Sequence, residues 1–131
     1  MSVELAVAAF GWFLLAFGHT AIGVRWVLPS LAEADLPGTP FGPPAMTRSM
    51  LRFTWHVVSI VLVAFGAIFA VLAAAPHTDA RTLLLRCLAG FLLAATALAA
   101  WNVRRRPSSL LRLPVPVVFV VIAVLCLTAS A

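Results

Sequence analysis

The sequence of 131 residues contains no lysine and no tyrosine, and only 10% of it is charged. Soluble domains carry about a quarter charged residues. Here 63% of residues are apolar and the mean hydropathy is +1.10. Such a chain cannot cover its own surface with polar groups, which excludes a water-soluble monomer. Four acids, Glu4, Glu33, Asp35 and Asp79, oppose nine arginines. None lies deep in an apolar helix, which argues against proton-coupled export through a central carboxylate. The two cysteines, Cys87 and Cys126, form no CxxC and no zinc spacing. No glycine-rich phosphate loop, HExxH or catalytic triad appears, so neither a catalytic residue nor a protein-built metal site is assigned.

What remains is long, apolar and helical. A bilayer core needs about 20 apolar residues of helix. The runs fit four helices at about 3–28, 51–75, 80–103 and 113–131. They do not alternate as membrane strands would. The expected fold is therefore all-α, a polytopic membrane protein forming a single four-helix transmembrane bundle over 1–131. Glu4 stands where a signal peptide needs a basic flank, so the first segment reads as a retained helix.

Prolines set the boundaries. Pro29 closes helix one. Ser30 and Glu33 fit a capping box, giving a short helix near 31–36. The proline-rich connection 29–50 should be extended or turned over 36–44, held to the bundle by Phe41, because consecutive prolines fix φ and remove donors. Pro76 ends helix two, and Thr78 or Asp79 can cap helix three. Pro114 and Pro116 fit only the opening turns of helix four.

Arginines give the orientation. Arg25, Arg48, Arg52, Arg104, Arg105, Arg106 and Arg112 flank connections one and three, while Arg81 and Arg86 flank connection two. The positive-inside rule places connections one and three in the cytoplasm and both termini outside it. The same arginines face anionic headgroups rather than nucleic acid, since no nucleic-acid-binding fold carries them. Arginine without lysine, with abundant Ala, Val and Leu, suggests a bacterial chain and hence the inner (plasma) membrane.

Polar residues inside apolar helices usually face the bundle interior. His19, with Thr20 beside it, shares a helical stripe with Trp12, Ala16, Gly23 and Trp26. His56 shares one with Arg52, Ser59, Val63, Gly66 and Ala70. The two stripes should face each other, and the nearest partners of His19 by level are His56 and Ser59. Two histidines on antiparallel neighbours can bind one b-type haem iron axially, or a copper ion. The alternative is a histidine hydrogen-bonded within the bundle. His77 reads as solvated. Cys87 and Cys126 fall near one level, and a disulfide would need Cα atoms within about 7 Å. Trp26, Trp55 and Trp101 read as interfacial anchors, and Trp12 as packing. Gly66, Ala70 and Ala74, and likewise Gly90 and Ala94, have the spacing of close helix approach.

The strings GHTAIGVRWVLP and LRFTWHVVS resemble those of small uncharacterised four-helix bacterial membrane proteins. That resemblance covers roughly the first half of the chain and implies the fold, with no activity attached. The size is similar to small multidrug exporters and fluoride channels, but the missing deep carboxylate and the seven-to-two arginine bias depart from both. Three functions follow. The first is action by helix association, as a homo-oligomer or as an accessory subunit of a membrane complex. The second is a haem- or metal-binding redox protein using His19 and His56. The third is a small oligomeric transporter or channel with the His19/Thr20 and His56/Ser59 region lining a polar cavity, Thr20, Ser59 and Arg52 being the further polar residues expected in the interior.

Overall fold

The structure, a computed structural model, describes residues 1–31, 36–40, 42–103 and 115–131. It is all-helical, with four helices among the described residues: α1 (Val3–Ser30), α2 (Pro44–Ala74), α3 (Asp79–Val103) and α4 (Val115–Thr128). Three of them are long and apolar enough to cross a membrane. The described part of α4 has 14 residues, fewer than the about 20 that a bilayer core requires.

Helix α2 starts at Pro44, about two turns before the expected boundary. Proline tolerates the first helical position because its missing N–H would have no intrahelical partner there. The Pro43 carbonyl accepts from the Met46 and Thr47 amides at 2.9 and 3.4 Å, which closes the first turn. The apolar pattern begins only near Leu51, so hydropathy alone starts the helix too late. Upstream, Thr39 and Gly42 exchange two backbone hydrogen bonds of 3.0 Å, forming a tight turn. The Thr47 hydroxyl donates to the Pro37 carbonyl at 3.1 Å, tying this turn to α2. Most of the expected 31–36 helix, and Phe41, lie outside the described residues.

The chain divides into two compact units, Trp12–Phe65 and Met1–Gly11 with Gly66–Ala131. In the second, the core is built from Leu5, Ala8 and Ala9 of α1, Phe69 and Ala73 of α2, Leu85, Ala89 and Leu92 of α3, and Ile122, Ala123 and Cys126 of α4. Its most extensive helix pair is α3 with α4. The α3 residues recur at intervals of four and three, the spacing of one helical face. Gly90 and Ala94 are exposed, so that small-residue pair makes no intrachain contact face. Cys126 is buried, Cys87 is exposed, and both are free thiols.

The carbonyls at the end of α2 lack intrahelical partners. The Ser2 amide donates to Ala73 at 2.9 Å, and Arg81 Nε donates to Leu72 at 3.2 Å. Thr78 caps α3 as expected, its hydroxyl accepting from the Arg81 amide at 3.2 Å.

Candidate functional site

The unit Trp12–Phe65 contains the polar residues singled out by sequence. Trp12 is buried and stacks on Phe65, with ring centroids 4.8 Å apart and planes 18° off parallel. Two turns further along α1, His19 stacks on Trp55 at 4.3 Å and 13°. Contacts that advance along α1 as they retreat along α2 make these segments antiparallel.

Three hydrogen bonds close around the His19–Trp55 stack. Trp55 Nε1–H donates to the His19 carbonyl at 3.0 Å. The Ser59 hydroxyl donates to the Trp55 carbonyl, four residues back, at 3.2 Å. His19 Nδ1 lies 3.0 Å from Ser59 Oγ. A serine hydroxyl has one proton. With that proton on the Trp55 carbonyl, Oγ accepts from Nδ1–H, and all three bonds form together. This tautomer leaves Nε2 of His19 with its lone pair, and Nε2 has no partner among the described residues. Burial of Ser59, 8% exposed, removes water as a competitor for these bonds.

Gly23 makes the contact sterically feasible. A Cβ at residue 23 would overlap Nε1 of Trp55, so only glycine lets the indole reach the α1 backbone. At the same place α1 changes pitch. Gly23–Val27 is a π-helical turn, in which the Leu28 amide reaches back to the Gly23 carbonyl. Such turns carry one extra residue and are frequent at functional sites. The extra residue rotates everything after it. Trp26 is therefore 62% exposed, whereas Leu28 is buried. The regular 3.6-residue period had placed Trp26 on the His19 stripe, and the π turn removes it.

The inward face of α2 is also rotated from the expected stripe. Ser59 and Gly66 are buried, and Trp55, Leu62, Phe65 and Leu72 are half-buried. Arg52, His56, Val63 and Ala70 are exposed. The large side chains carry more burial than the polar ones, so they take the interior. Thus the structure brings His19 to Ser59 but not to His56, whose place against His19 is taken by Trp55. Trp55, expected as an interfacial anchor, is half-buried and engaged with His19. Thr20 Oγ1 donates to Ala16 within its own helix at 2.8 Å. Among the described residues, no three His, Cys, Asp or Glu side chains cluster to hold a metal ion. Sequence reading missed Trp55 and the packing role of Gly23. The signal was present: Trp55 and Ser59 are four apart, as are His19 and Gly23, and each pair lies on one helix face.

Compared with known proteins, the chain matches no family model, no curated protein and no solved structure.

Proposed function

We propose that the chain is an integral protein of a bacterial inner membrane that acts by helix association, as a homo-oligomer or as an accessory subunit. Connections one and three lie in the cytoplasm, following the arginine bias. Support for membrane residence comes from the surface. Large apolar side chains such as Phe10, Phe17, Phe53, Val71 and Phe91 are exposed on α1, α2 and α3. Patches of this kind mark membrane or protein contact.

The observation that carries association is the outward position of His56. It is exposed beside the apolar surface residues Phe53, Val57 and Ile60, with the exposed Arg52 one turn toward the helix start. The Nδ1 of His19 is already engaged inside the chain by Ser59, and His56 stands on another face of the helix. A polar side chain on the outside of a membrane helix is costly against lipid and is normally covered by another helix. The test is the mass of the full-length protein in native-lipid nanodiscs. A mass of two or more chains is expected, reduced toward a single chain by His56→Leu. A single-chain particle with no stoichiometric second subunit would overturn the proposal.

A further inference from the structure

The surface of α2 in the unit Trp12–Phe65 carries two polar side chains one helical turn apart, Arg52 and His56. Both are exposed, and neither makes a hydrogen bond or ion pair among the described residues. At about 1.5 Å per residue they stand about 6 Å apart along the helix, within reach of one acceptor group. A guanidinium keeps its charge at physiological pH, and a neutral imidazole offers one N–H in either tautomer. Arg48, a further turn toward the helix start, is half-buried. Neither α2 nor the part of α1 packed with it, Trp12–Ser30, contains an acid. The face therefore combines a positive charge, a second donor and the apolar side chains of Phe53, Val57 and Ile60.

The occupants open to such a face differ in charge. Copies of one membrane chain share one orientation, so a two-fold axis between them runs along the membrane normal. Packing this face on itself then sets Arg52 at the level of its counterpart, like charge against like charge in apolar surroundings. Of the chain's four acids, Glu4 and Asp79 belong to the other end of α2, where the Ser2 amide meets Ala73 and Asp79 opens α3. Glu33 and Asp35 lie outside the described residues. A lipid phosphate meets Arg52 at the membrane surface, but it leaves His56, one turn deeper, against acyl chains. A carboxylate on a neighbouring helix is held at a fixed depth and accepts from both side chains.

We propose that the Arg52–His56 face of α2 docks a transmembrane helix of a different protein, one that carries an Asp or Glu at their level. This inference rests on the association reading above and selects its accessory-subunit form.

The experiment uses the full-length chain in phosphatidylcholine vesicles, with a synthetic Leu–Ala helix of about 20 residues as the probe. One peptide carries a glutamate one turn in from each end, so either insertion direction brings a carboxylate to the Arg52 level. Its control carries glutamine at both places. Binding is read by energy transfer between labelled chain and labelled peptide. The glutamate peptide is expected to bind about fivefold more tightly, the margin of a charge-assisted over a neutral hydrogen bond. Arg52→Gln should erase that margin, Arg52→Lys should keep most of it, and His56→Leu should reduce it. Equal binding of the two peptides overturns the proposal, as does a margin unchanged in Arg52→Gln. A margin abolished by adding phosphatidylglycerol to the vesicles overturns it in favour of lipid phosphate. A homo-oligomer in nanodiscs that falls to single chains when Glu33→Gln is combined with Asp35→Asn overturns it in favour of a second copy. Failure with the peptides leaves a multi-chain mass, and so the association reading, standing. That reading fails separately, on a single-chain mass.

Discussion

The indole of Trp55 occupies the space that a side chain at residue 23 would fill, and from there it donates to the carbonyl of His19. Gly23 and Trp55 are thus two halves of one contact, the first by absence of a side chain and the second by reach. The His19 ring closes over the same indole.

Gly23→Ala should consequently destabilise the protein, although alanine is ordinarily the better helix former. The added methyl must displace Trp55, at a cost of about 1–3 kcal/mol for overpacking a close site. Thermal unfolding in detergent, followed by tryptophan fluorescence, reads the loss. A variant as stable as the unsubstituted chain would show that the indole does not sit against residue 23.

Ser59→Ala and His19→Leu should not be additive. Each removes the same interhelical hydrogen bond, and such bonds in membrane proteins couple by about 0.6 kcal/mol on average. A double-mutant cycle on unfolding free energy measures the coupling. His56→Leu, combined with Ser59→Ala, should show none within a chain. Coupling through His56 equal to that through His19 would restore the stripe expected from sequence.

Arg81→Met should loosen the end of α2. It leaves the Leu72 carbonyl without its side-chain donor, a loss of about 1–3 kcal/mol for an unmet polar group. Hydrogen exchange should rise at the α2 end and in the first turn of α3, and remain unchanged around His19. Uniform exchange across the chain would contradict this local role.

Reporter fusions test orientation. A reporter at the C-terminus should be active outside the cytoplasm, and one in the 104–112 connection inside. The opposite pattern at either position would defeat the arginine-bias argument.

The all-helical architecture, with four helices among the described residues, was legible in the sequence because apolar run length and proline position are strong one-dimensional signals. The pairing of His19 with Ser59 was also legible, from level and polarity. The partner role of Trp55 was not. Counting from His56 rotated the α2 face toward its polar residues, whereas burial of Trp55, Leu62 and Phe69 sets the real face. Trp26 was misassigned for a different reason: a π turn breaks the helical period, and no residue pattern in 23–27 announces it. The early start of α2 was hidden because Pro43 and Pro44 read equally well as loop or as a first helical turn.

Cysteine cross-linking in native membranes addresses the proposed association most directly. His56→Cys in a Cys87→Ser background places one accessible thiol on the outward face of α2, Cys126 being buried. Oxidation should yield a covalent dimer of the chain, or of the chain with a fixed partner subunit. Phe17→Cys in the same background, on an exposed position of α1, should cross-link far less. Absence of any adduct at residue 56, or equal yields at both positions, would contradict association through the His56 face.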